Sequence, residues 1–506
     1  MARWARDLRY EDIPTQTREL AISQLVSNIA AVRASATHPH GARLLTAFGS
    51  PNPRDPKQYA YILAALAILL DYDEVSYVGH LSTAAVNVSI AHAAAHQLSG
   101  RQLLTAIVAA NECASRLTAA TILGPFFRGQ SNTHTHLLGA AVASLKSRNA
   151  TLQQWISGIA LSLGLLPTPV HDAILGGDLK ALTAATPVRM ALDACDAALA
   201  GLTGNAAALE DPQGLLADLT TVYMPEAITA GLGQAWHTDT LSFKRYPASA
   251  YSQAALECAE RIHHRLGALH PATVTGIEIN ASILTWLLDH KISAHPAGHR
   301  RNVTSANFSV RYAVATVLRT GRLTPADFTT DAISDSDTAA LADKISLTHD
   351  VAYTETMIRA TAPLGQALRQ AGTRALQWPE LHAFGGQDAG ARLHELGPPQ
   401  TTFTEATMNI GADLTVTLAD GTTATEQCST PTGSAGTATR ANHTQISTDK
   451  LILTGLDDGT AEQLRAVADF DHHQVLAVLT AAFADLTPPA AHNHCPSAVR
   501  HYATRN

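Results

Sequence analysis

Three carboxylates and an imidazole fall in one short stretch, Leu70-Asp71-Tyr72-Asp73-Glu74 followed by Gly79-His80-Leu81-Ser82. These side-chain types exchange protons near neutral pH, so the stretch is a candidate for general acid/base work. It follows residues 59–70, an apolar run too short to span a bilayer, and the acids therefore meet the end of a buried helix. An ionised carboxylate facing an apolar core is costly unless it is paired or its pKa rises. The acids thus start a solvated loop, join an ion-pair network or form a reactive site, and position alone favours the loop.

Two lysines fit the same chemistry. Lys180 lies in Gly176-Gly-Asp-Leu-Lys180, read as a linker just before a helix, and Lys244 lies in Phe243-Lys-Arg-Tyr-Pro247, a proline-terminated loop with two cations beside aromatic rings. Taken singly, each reads rather as an exposed surface cation. The 24 histidines invite a metal test, but the close pairs 134/136, 263/264, 472/473 and 492/494 lack zinc-motif spacing with a third ligand, so no metal is expected. Asp471-His-His473 follows no strand and reads as a helix surface. G-x-S-x-G, Walker A and strand-bound G-x-G-x-x-G motifs are missing, which leaves acid/base chemistry by ordinary side chains.

The elements that must carry these residues are mostly helical. With 506 residues, 46% of them hydrophobic and only 15% charged, the chain exceeds one ordinary core and predicts two domains with large buried interfaces. Residues 15–32 predict an amphipathic helix, Ser82 a helix cap, Gly100 a helix reaching Glu112 and Arg116, and 138–144 and 188–202 small-residue helices. Glu112 and Arg116, four apart, predict a surface pair. Alternation with a period of two at 273–279 and 414–418, the latter before the Asp420-Gly421 turn, predicts strands only there. A large all-α domain (1–264 and 435–506) with an inserted α+β lid (265–434), ending in a polar tail, is therefore expected. A net charge of −8 with scattered cations gives no phosphate-backbone footprint, so neither nucleic acid nor membrane is an expected partner. Five cysteines without C-x-x-C spacing, and a start without a signal peptide, predict reduced thiols and a cytoplasmic location.

Taken in order, these pieces resemble the MmgE/PrpD family, which includes 2-methylcitrate dehydratase, cis-aconitate decarboxylase and iminodisuccinate epimerase. The matching residues are 70–73 with His80, Gly100 through Glu112 and Arg116, 139–143, 180–204 with Arg189, and 209–214. They continue with Lys244-Arg-Tyr-Pro247, Asn307-Phe-Ser-Val-Arg-Tyr312 with Gly321, and Thr417-Leu-Ala-Asp-Gly421. The resemblance implies the same helical domain and lid, a homodimer and no cofactor. It implies Asp71, His80, Lys180 and Lys244 as catalytic residues. Candidate substrate contacts are Asp73, Gln130, His134, His136, Arg245, Tyr251 and Gln253.

Two family histidines are replaced, one by Gln130 and one by Gln253, and glutamine cannot titrate, so His134 or His136 is a candidate substitute. Family substrates are small polycarboxylates, which implies a metal-independent lyase, or an epimerase, in which lysines hold developing negative charge while His80, oriented by Asp71, moves the proton. The alternatives are a tailoring lyase or cyclase with a substrate unlike citrate, and an inactive binding homologue.

Overall fold

The computed structural model describes residues 1–381, 389–484 and 486. The expected polar tail, with Cys495, His492 and His494, lies outside the described residues. The helical body is built around α1 (Thr15–Ala36), α2 (Pro56–Leu69), α3 (Ser82–His96), α4 (Gly100–Thr121) and α5 (Thr133–Ser147). After α6 (His171–Leu175) it continues with α7 (Lys180–Leu199). Asp55 starts α2 by accepting hydrogen bonds from the amides of Lys57 and Gln58, with Pro56 in the first turn. Nearly every later residue of α2 is buried, as its all-round apolar sequence requires.

The structure changes several sequence expectations. Helix α1 is buried on almost all sides rather than on one stripe. Its polar residues bond neighbouring helices: Gln24 donates to Ser82 and Asn111, and Asn28 donates to Asn87 at 2.8 Å. Ser82 does not cap α3 but donates to Glu74 at 2.8 Å. Lys180 is the first residue of α7 rather than part of a linker.

Glu112 and Arg116 are buried, not a surface pair. Glu112 accepts from the amides of His237 and Thr238, and Arg116 donates to the carbonyls of Ala230 and Ala235. Together they clamp the loop that leads to Lys244.

The lid is built on α8 (Gln253–Leu266), β1 (Val274–Ala281), α9 (Ile283–Ser293), α10 (Val303–Phe308), α11 (Val310–Thr320), β2 (Ile345–His349), β3 (Ala412–Leu418) and β4 (Thr423–Cys428). The sheet order is β2-β1-β3-β4, with β1 parallel to β2 and the other pairs antiparallel. Two strands thus add to the two expected. Helix α8, upstream of residue 265, packs on β3 and β4, while residues 357–381 pack into the core of the helical body. The last helix needed for the site, α12 (Thr437–Ile452), returns to α1.

The two apolar cores meet at the seam that matters for function. Leu69 and Leu70 at the end of α2, and Ala181 and Ala185 in α7, join the lid core rather than that of the helical body. Asp71 and Lys180 are therefore delivered to the boundary between the two cores, a usual place for a ligand pocket. The chain is mainly α, with one small mixed sheet, as expected.

The clamp region carries a pH-sensitive group. Asp239 is 3% exposed and accepts a 2.8 Å hydrogen bond from Thr17. Burial, with Glu112 nearby, pushes its carboxyl up to about 7. An unfolded aspartate titrates near ~3.9, so the folded chain binds this proton more tightly. That stabilisation is complete below the unfolded value and is lost as pH rises through about 7. Asp239→Asn is expected to flatten this slope, measured as a smaller difference in urea midpoint between mildly acidic and mildly alkaline buffer.

Candidate active site

Helix α2 stops at Leu70, and Asp71 takes a left-handed backbone conformation with φ +55°. Aspartate tolerates this region better than most residues, and here it turns the carboxylate back into the seam. Lys180 Nζ donates to Asp71 Oδ1, and Lys244 Nζ donates to Oδ2 at 2.9 Å and to the Asp71 carbonyl at 2.8 Å. All three side chains are almost fully buried. Burial alone would raise the Asp71 pKa, but the two ammonium groups outweigh it and hold the carboxyl well below the usual range. Burial lowers the Lys180 pKa, Asp71 opposes that, and Lys244 adds to it.

Distant segments aim these lysines. Gly433, with φ +92°, lies so close to Phe243 that a β-carbon would strike the Phe243 carbonyl, and its own carbonyl accepts from the Phe243 amide at 2.7 Å. This pins the residue before Lys244. The ring of Phe308 lies 4.6 Å from Lys180 Nζ, a cation–π contact from the lid. Asn307 donates to the Pro247 carbonyl at 3.0 Å, so the Asn307-Phe308 pair ties two parts of the site together.

The partner of His80 differs from expectation. His80 Nδ1 lies 2.9 Å from Asp73 Oδ2 and 3.0 Å from Oδ1, whereas its Nε2 is 3.7 Å from Asp71 Oδ1. Asp73, expected as a substrate contact, instead orients the imidazole, and Asp71 serves the lysines. Burial raises the Asp73 pKa, but His80 more than offsets it and the carboxyl is held low. The third acid of the stretch, Glu74, accepts from Ser27 and Ser82 and pairs with Lys450 of α12 at 3.2 Å, which makes it a structural anchor.

Asp71, Asp73 and His80 also offer ligand atoms within 4.8 Å of one another. A cation there would sit against the ammonium groups already on both Asp71 oxygens, so this donor set suits lysine better than a metal.

The other expected residues divide. His136 reaches the cavity and His134 does not. Thr83 donates to the His80 carbonyl at 2.6 Å, so its oxygen accepts from His136 Nδ1 at 2.8 Å. That assigns the proton to Nδ1 and leaves Nε2 as an acceptor, and burial pushes the ring pKa down to about 3. His134 bonds Thr121 at 2.8 Å. Gln130 does not line the cavity, and its backbone bridges to Val170. Gln253 donates to the carbonyls of Tyr246, Ala248 and Ser249, so it braces the Lys244 loop instead of facing substrate. Arg245 pairs with Glu260 at 3.2 Å, away from the cavity. Tyr251 does line it.

The cavity has a volume of about 410 Å³ and contains Asp71, His80, Lys180 and Lys244 on its wall. Most of the remaining wall is apolar, from Phe126, Ile174 and Leu175 of the body and Leu284, Trp286 and Leu287 of the lid. Polar residues there that escaped the sequence reading include His171 and Lys291, whose Nδ1 and Nζ lie 3.3 Å apart. Their one signal was a lysine in the last turn of a helix that carries Leu284, Trp286 and Leu287.

No curated protein matches the chain. The MmgE/PrpD N-terminal domain matches residues 1–226 and the MmgE/PrpD C-terminal domain matches residues 246–385. The first match holds Asp71, His80 and Lys180, and the second holds Phe308 and the lid wall of the cavity. With most of its length matched in this order, the chain belongs to the MmgE/PrpD family.

Proposed function

We propose that the chain is a metal-independent lyase that moves a proton at a carbon next to a carboxylate or carbonyl. The observation that carries this reading is the convergence of Lys180 and Lys244 on Asp71, beside the Asp73–His80 pair, on one cavity wall. With Nδ1 donating to Asp73, His80 presents an unprotonated Nε2 as the base. It takes the proton from carbon, and the bonding electrons pass to the adjacent carbonyl or carboxylate oxygen, forming an enediolate.

That oxygen is stabilised by ammonium groups fixed before the reaction starts. The imidazolium formed lies between Asp71 and Asp73, which offset its charge. Collapse of the enediolate expels a β-hydroxyl, which leaves as water with a proton from Lys180 or from His80. Return of the proton to the opposite face gives epimerisation, and a β-keto or β,γ-unsaturated acid instead loses carbon dioxide before protonation.

The apolar wall favours a second reading of the substrate: a molecule unlike citrate, handled in a specialised pathway. Incubation in D2O with 2-methylcitrate, cis-aconitate, iminodisuccinate and longer hydroxy- and unsaturated dicarboxylates tests the reaction. Deuterium at the carbon beside a carboxylate, or product release, is expected from at least one. Absence of both exchange and turnover across the panel would remove the lyase assignment.

A further inference from the structure

The inner end of the cavity has little charge left to offer. Asp71 is shared by two ammonium groups and Asp73 lies behind His80, so two negative charges meet two positive ones before any substrate arrives. Lys291 differs. It stands in the last turn of α9 on the lid, lines the same cavity, and makes no ion pair among the described residues. Glu380 also lines the cavity and is not within ion-pair distance of Lys291.

A neutral imidazole holds this ammonium. His171, in α6 of the helical body, faces Lys291 through Nδ1 at 3.3 Å and hydrogen bonds the backbone of Gln130. Burial and the Lys291 charge both lower its pKa, to about 4, so the ring stays neutral and accepts from the lysine. The pair bridges lid and body across the cavity. Phe126, whose ring lies 5.4 Å from that of His171 and 6.1 Å from that of Tyr251, lines the same cavity with Ile174, Leu175, Leu284 and Leu287. A compact polyacid would leave its inner carboxylates against these side chains.

We propose that Lys291, positioned by His171, binds a distal anionic group of an elongated substrate whose middle is apolar and whose reacting end lies at His80 and Lys180. The substrate class is thus a long-chain carboxylic acid with a second acidic group at its far end. This deepens the lyase reading, on which it rests for the place of the reacting carbon. The volume of about 410 Å³ fits such a ligand, being in the range of pockets that enclose drug-sized molecules.

The test is equilibrium binding of unbranched α,ω-dicarboxylates, from succinate to sebacate, and of citrate, to the full-length protein by calorimetry. Affinity is expected to rise roughly fourfold per methylene until the spacer matches the cavity, with citrate among the weakest. Lys291→Met, a change at an exposed position, is expected to lower the best affinity by roughly tenfold or more, with Lys291→Arg restoring most of it. His171→Phe, which removes the acceptor, is expected to give a smaller loss in the same ligands. A flat series, citrate binding best, or unchanged affinity in Lys291→Met would each overturn the proposal. Binding needs no turnover: a rising series without D2O exchange would remove the lyase reading alone, whereas exchange with a flat series would remove this one.

Discussion

Asp71→Asn is expected to destabilise the fold by about 3–5 kcal/mol and to abolish turnover, because it leaves two buried ammonium groups without their shared counter-charge. The effect has a pH signature. In the wild type, the Asp71 pKa is held below its unfolded value, so its contribution is present above that value and is lost as pH falls through the folded one. In the variant the cost belongs to the lysines. Burial and the neighbouring Lys244 charge lower the Lys180 pKa, so the cost is largest while Lys180 is protonated and eases as pH rises and its ammonium releases the proton. Urea unfolding of both proteins from neutral to alkaline pH checks this: the gap is expected to narrow with pH. A constant gap would mean that Asp71 acts through its backbone turn and not through its charge.

His80→Gln is expected to lower turnover by about 10²–10⁴ while changing stability little, since the ring is partly open to the cavity and a glutamine amide can still donate a hydrogen bond to Asp73. Asp73→Asn is the informative companion. Asparagine can still bond Nδ1, but it cannot stabilise the imidazolium and permits the wrong tautomer. A large loss in kcat with nearly unchanged ligand affinity is therefore expected. The same residue replaced at no cost to kcat would return His80 to Asp71, as the sequence suggested.

Which parts could be read beforehand follows from distance along the chain. The helix ending at Asp71, the β3–β4 turn and the start at Gly100 are local and were legible from period and punctuation. The burial of Glu112 and Arg116 was not, because an i,i+4 pair looks the same whether the loop at 230–238 covers it or not. Asp71, Lys180 and Lys244 came together only through family order, since no local pattern relates residues so far apart. The exchange of partners between Asp71 and Asp73 depends on one left-handed residue, which sequence spacing does not encode. Gln253 was misplaced for a similar reason: the three carbonyls it braces belong to the loop before its helix. His171 and Lys291 meet only because lid and body do.

The polar residues inside α1 have a consequence for assembly. Alanine-rich helices present smooth, nearly uniform surfaces, so several offsets between neighbours bury similar apolar area. Gln24 with Asn111 and Asn28 with Asn87 are matched at one offset. A slip of one turn would strand these donors and acceptors without water, at about 1–3 kcal/mol for each group. The first long helix therefore acts as a key that sets the register of α3 and α4. Because Ser27 in the same helix grips Glu74, that register carries through to the turn on which Asp71 and His80 stand.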